Sequence, residues 1–241
     1  MTCKKQTSQK TQQKASNLSD RVRFLRAEIE HAAQLFALME AGNTDEVVEF
    51  VNAQGRDYAQ ACILIRRSLL TTIVLILCRA FDEHNNTTTV SFKQTIELAK
   101  DQNIQSYFEA AEDSKDLFQK TFSKWKSLTV MANVGSLDKL ALLINASPGD
   151  QRYILEEIKK KHGLSVVLKN FRNWTLAHNE PKKAHKSPKP FINDLRGLLS
   201  LGIELVDSLS AATGSTTVSV RHTLDIWSQK GDIFWKRVPE P

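Results

Sequence analysis

Arg172, Asn173 and His178 place a permanent cation, an amide and an imidazole within seven residues of a 241-residue chain. That set suits contact with a phosphodiester more than contact with a metal or an acyl group. Arginine offers phosphate oxygens a planar fork of donors and never loses its charge. It can hold a scissile phosphate and stabilise the charge that develops in the transition state. Histidine titrates near neutrality and can move the proton of a 2′-hydroxyl or of the leaving oxygen. A helix C-terminus would also favour its protonated form. Asn173 can orient either group or donate to phosphate. Because a 2′-hydroxyl is an internal nucleophile, this chemistry calls for no metal and no cofactor. DNA lacks that group, so the arrangement would be restricted to RNA.

Arg172 and His178 are six residues apart. On an ideal helix that is about 600°, so the side chains point roughly 120° apart with about 9 Å of rise between them. They do not share one face. Either the helix frays before His178, or a second copy of the same helix completes the site across a two-fold axis. Pro181 biases Glu180 away from the helical region, which ends the helix by about there. Residues 179–190 then form a loop with Lys182, Lys183, Lys186 and Lys189 and three prolines. Lys182, Lys183 and Lys186 are candidates for gripping an RNA backbone, and a merely solvated loop is an equally good reading.

Charge is concentrated around the same segment. The formal net charge is +6, of which residues 1–15 supply +4 and residues 164–190 supply +5, leaving −3 elsewhere. A polyanionic partner is permitted by that distribution. Cys3, Cys62 and Cys78 lack metal-ligand spacing, and the last two lie in apolar runs as buried thiols of a reducing cytosol. The histidines share no spacing with acids or cysteines, so no metal site is assigned. The N-terminus lacks the apolar core of a signal peptide. Ser68–Cys78, between Arg67 and Arg79, is an uncharged run of 11 residues. A bilayer span needs about 20. The expected location is therefore cytoplasmic, with no membrane partner.

The elements that must position the site are helical. Residues 1–16 are polar and read as a disordered basic tail. Leu18, Val22, Leu25, Ile29, Ala32, Ala33 and Phe36 keep the 3–4 spacing of an amphipathic helix. Gly42-Asn43-Thr44 ends it. A second helical region runs from Asp45 to Phe81 with a break near Gly55, and other helices should surround its apolar second half. Ser91-Phe92-Lys93-Gln94 has capping-box form. A long amphipathic helix is expected over 104–133, two shorter ones over 136–146 and 150–162, and an apolar helix over 191–212. Val218, Val220, His222, Leu224 and Ile226 alternate, and Lys230-Gly231-Asp232 resembles a turn, which predicts a terminal β-hairpin. The expected organisation is a tail (1–16), an all-α helical bundle (17–213) and a small appendage (214–241). No Gly-rich phosphate loop or Gly-x-Ser-x-Gly elbow is present, which weakens nucleotide-hydrolase and serine-hydrolase readings.

Arg172-Asn173, with four residues before His178, resembles the Arg-polar-x(3–5)-His signature of HEPN domains, an all-α ribonuclease superfamily. The wording Arg-Asn-x-x-x-Ala-His is similar to that of its abortive-infection (AbiU2-like) group of bacterial defence proteins. Cys78-Arg79-Ala80-Phe81-Asp82, then a polar loop and Val90-Ser91-Phe92, resembles the same group's second segment. Together the resemblance covers roughly residues 20–212. It implies a HEPN-like bundle that dimerises through the motif helices, and metal-independent RNA cleavage to a 2′,3′-cyclic phosphate in a toxin or antiviral role. Arg172, Asn173 and His178 would be catalytic. Asp82 would be a supporting residue, although capping its helix is the simpler role for it. RNA, a second copy of the chain, and an antitoxin or other defence protein are the partners it implies. Some HEPN toxins carry a tyrosine two positions after the histidine as a modification target; here Glu180 stands there. Many HEPN domains only bind or dimerise, so a non-catalytic dimerisation, RNA-binding or partner-binding module is the alternative.

Overall fold

The computed structural model describes residues 2–81, 90–109, 192–215 and 218–236. α1 (Thr2–Ala41) is 40 residues long and is the axis of the described residues. All seven residues of its 3–4 seam, from Leu18 to Phe36, are buried. Against that seam pack α3 (Arg56–Ala80), α4 (Phe92–Ala99), α5 (Gln102–Glu109), α6 (Ile192–Ala212) and α7 (Val220–Lys236). Each fully buried Leu, Ile or Phe contributes about 1.5–3 kcal/mol of transfer free energy. The short α2 (Asp45–Ala53) packs instead on α3 and α7. The described residues are helices and connections, which agrees with the all-α expectation.

Local chemistry sets the breaks. α1 stops at the Gly42-Asn43-Thr44 turn, where Gly42 N–H donates to Leu38 O and Asn43 N–H to Glu40 O. Gly55, at φ +100°, separates α2 from α3 in a region that favours glycine. Ser91 is the N-cap of α4, its Oγ accepting from Gln94 N–H at 3.4 Å. Asp101 does the same for α5, its Oδ1 accepting from Asn103 N–H at 2.9 Å.

Two expectations are corrected. The terminal β-hairpin is a helix: α7 spans Val220–Lys236 without a turn at Gly231. Val220, Leu224, Trp227, Gly231 and Trp235 recur at three- and four-residue spacing. Val220, Gly231 and Trp235 are buried, while Val218, His222 and Ile226 are exposed. The stretch expected to be a disordered tail is the first part of α1, with Ala15 buried and Lys14 paired to Asp101 at 2.6 Å. Lysine and glutamine are good helix formers, and extending an anchored helix is far easier than nucleating one.

α7 is held at both ends. At its start Asp207 of α6 accepts from Val220 N–H at 2.9 Å and from Ser219 Oγ at 2.5 Å, and receives Arg26 of α1 at 3.1 Å. At its far end Trp235 enters a second, smaller core with Ala41, Val47, Val51 and Cys62. Its indole N–H donates to Leu38 O at 2.7 Å, and the Arg66 guanidinium lies 5.3 Å from its ring centroid.

α3 buries Ile73, Val74, Ile76, Leu77 and Cys78 in the main core, as its sequence predicts. Its first half differs, with Ile63 and Leu64 60% and 64% exposed. The uncharged run is short, yet the whole helix is long and apolar enough to cross a membrane by length and composition.

Candidate functional site

The second motif segment is built by the end of α3 and the start of α4. Arg79, in the last turn of α3, points to α1 and donates to Glu28 Oε2 at 2.6 Å. With Arg79 57% exposed, the pair adds at most about 1 kcal/mol. Phe81 comes next as the C-cap, its N–H donating to Leu77 O at 3.0 Å. Across the connection Phe92 opens α4, and the two rings meet at 5.0 Å between centroids. Both rings are buried, and so is Ser91 beside them. Ser91 O also accepts from Thr95 Oγ1 at 2.8 Å, which locks the first turn of α4. The end of α3 and the start of α4 thus meet through this aromatic pair.

Asp82 begins that connection and lies outside the described residues. So do Arg172, Asn173, His178, Lys182, Lys183 and Lys186, together with the helices expected over 110–190. The structure does place α6, the next helix along the chain. Leu195, Leu198 and Leu199 of α6 are buried, and Arg196 pairs with Glu40 while lying 5.9 Å from the Phe36 ring centroid. The described helix that follows this stretch in the sequence is therefore tied to α1. Glu28 went unnoticed in the sequence, and no local signal marks it. It neighbours the buried seam residue Ile29, and only the packing of α3 on α1 gives it Arg79 as a partner.

Two ion pairs carry the resolved carboxylate shifts. The Asp101 carboxyl is held below its ordinary range by hydrogen bonds from Lys14 and from Asn103 N–H. Glu46 is lowered by its hydrogen bond and charge interaction with Lys236, which joins α2 to α7 at 2.8 Å. Burial pushes the Tyr58 hydroxyl up. Among the described residues no group of three or more His, Cys, Asp or Glu is placed to hold a metal ion.

No curated protein and no solved structure matches the chain significantly. A family model does: the one described as AbiU2, of the HEPN type, matches residues 15–226. The match begins in α1, at the buried Ala15, and runs on into α7 beyond the motif segments. With that span covering most of its length, the chain belongs to the AbiU2 family of HEPN proteins.

Proposed function

We propose that this chain is a metal-independent endoribonuclease of a bacterial toxin or antiviral defence system, acting in the cytoplasm. The observation that carries the reading is that Arg172, Asn173 and His178 all fall inside the span matched to the family. In this account the 2′-hydroxyl attacks the adjacent phosphorus, and the bond to the 5′-oxygen of the next nucleotide breaks. The products are a 2′,3′-cyclic phosphate and a free 5′-hydroxyl. His178 moves a proton at the attacking or the leaving oxygen. Arg172 pairs with the non-bridging oxygens and stabilises their added charge. Asn173 orients the phosphate, and Asp82 supports the site from the second segment. Lys182, Lys183 and Lys186 track the strand's backbone.

The six-residue spacing favours a site shared by two copies of the chain, with Arg172 of one facing His178 of the other. That geometry has a specific consequence. Arg172→Ala and His178→Ala are each inactive alone. Mixed and allowed to exchange subunits, they form heterodimers with one intact site, recovering about a quarter of wild-type cleavage by random pairing. No recovery in proven heterodimers rules out the shared site. In cells, expression of wild type in a bacterial host arrests growth and expression of His178→Ala does not. Equal growth of both strains at matched protein levels contradicts the toxin reading. RNA binding that survives Arg172→Ala, with no product from either protein, favours the non-catalytic binding module.

A further inference from the structure

Beside the first turns of its buried seam, one face of α1 carries only small and polar side chains. Ser16 and Ser19 stand there with Asp20 and Arg23, at helical spacing, along one wall of an open groove of about 740 Å³. Tyr107 of α5 forms part of a second wall, and the turn after α6 closes the third. The serines are too small to fill the space. Tyr107 remains 45% exposed, although Phe108 holds its ring edge-on at 5.4 Å between centroids and 88° between planes. A half-exposed aromatic ring on the wall of a groove offers a stacking platform.

The charged pair beside it is loosely engaged. Arg23 and Asp20 approach to 3.8 Å, and each side chain is 67% exposed. That distance exceeds a hydrogen bond, so both heads keep donors and acceptors for a ligand. The groove thus offers a flat apolar face, a carboxylate acceptor and a guanidinium. A base stacks on the first, and a phosphate pairs with the last. The carboxylate discriminates. Guanine alone among the RNA bases presents two adjacent donors, N1–H and the N2 amine, on its Watson–Crick edge. Adenine and cytosine each set one amine beside acceptors, and uracil sets one N–H between two carbonyls.

We propose that this groove is a guanine-nucleotide site, with the base on Tyr107, its Watson–Crick edge on Asp20 and its phosphate toward Arg23. The ligand chemistry is the same for a free nucleotide and for a guanine within a single RNA strand. Only the strand form rests on the RNA reading above. Neither form needs Arg172 or His178, so loss of this site and loss of cleavage are separate results.

Calorimetry on the full-length protein with GMP, AMP, CMP and UMP tests the assignment. GMP binds about tenfold tighter than the other three, as one well-made bidentate contact allows. Asp20→Asn brings GMP to within about threefold of the rest, because an amide cannot accept from both donors with one charge-assisted oxygen pair. Tyr107→Ala weakens GMP about tenfold. Arg23→Ala weakens GMP and leaves guanosine unchanged. Circular dichroism melts that match wild type show that these surface changes leave the fold intact. A hexauridylate with one central guanosine, compared with GMP, separates the two sources. Tighter binding of the oligomer assigns the strand, and equal binding assigns the free nucleotide. Absence of a GMP preference in wild type, or its persistence in Asp20→Asn, overturns the proposal.

Discussion

The two ends of α1 use small residues to different effect. At the C-terminal end, Ala41 and Gly42 let α7 come so close that a Cβ on Gly42 would sit 2.6 Å from the Trp235 ring. One on Gly231 would sit 2.6 Å from the Ala41 Cβ. Toward the N-terminal end, Ser16 and Ser19 are also small, but they line an open groove of about 740 Å³ instead of a close contact. Small residues therefore do not by themselves mark close packing or a binding site. The partner element decides, through whether it supplies a Trp235 or stops short.

Breaking the filled end should have the largest effect. Trp235→Ala removes a ring that is only 2% exposed and takes away one of the two donors to the Leu38 carbonyl, leaving only Gly42 N–H. Urea denaturation should show a loss of about 3–5 kcal/mol. A loss below about 1 kcal/mol would mean that the second core does not hold α7 to the bundle. Gly231→Ala comes next, at about 1–3 kcal/mol by overpacking, since the Cβ it meets cannot rotate away. Gly202→Ala sharpens the point. Its Cβ would meet the Ile29 Cδ1 at 2.8 Å, the tip of a side chain that can turn, so the same measurement should give a smaller loss.

The open end should respond in the opposite way. Ser16→Leu should leave stability within about 0.5 kcal/mol of wild type, because the added bulk enters a groove rather than a packed seam. The same variant should lose GMP binding. Unchanged binding together with unchanged stability would detach the groove from any ligand.

Acid should act weakly at both ends. The Asp101 and Glu46 carboxyls are depressed in the folded state by Lys14 and Lys236 respectively. Depressed carboxylates stabilise above their unfolded values, near 4, and that contribution is lost as pH falls through the folded values. Thermal melts should thus drop below about pH 4, and Asp101→Asn should flatten part of that drop. An identical pH profile for wild type and variant would mean that the Lys14–Asp101 pair contributes nothing.

The same physics governs how far the sequence could be read. The α1 seam was legible because seven apolar residues keep one period and are buried, with five other helices packed on α1 among the described residues. The Ser91 cap and the breaks at Gly42 and Gly55 were legible because they are local chemistry. α7 was not. Its first residues alternate, and Gly231 reads as a turn when its neighbours are Lys230 and Asp232. The glycine is there because Ala41 lies against it, a tertiary fact with no local signature. The start of α1 was missed for a related reason, since composition reports solubility and not the anchor that lets a polar segment stay helical. The motif pair was legible enough to name the family, and the matched span agrees with it. Asp20, Arg23 and Tyr107 were not singled out, because 87 residues separate Asp20 from Tyr107 and only folding sets them beside one groove.

Cleavage itself is the central claim, and one assay addresses it. Purified wild type and His178→Ala are incubated with a mixed RNA in excess EDTA, and the product ends are identified by mass spectrometry. Wild type should cut to 2′,3′-cyclic phosphate and 5′-hydroxyl ends, with cleavage by His178→Ala reduced at least about a hundredfold. Equal cleavage by both proteins, or intact RNA with both, would contradict the account.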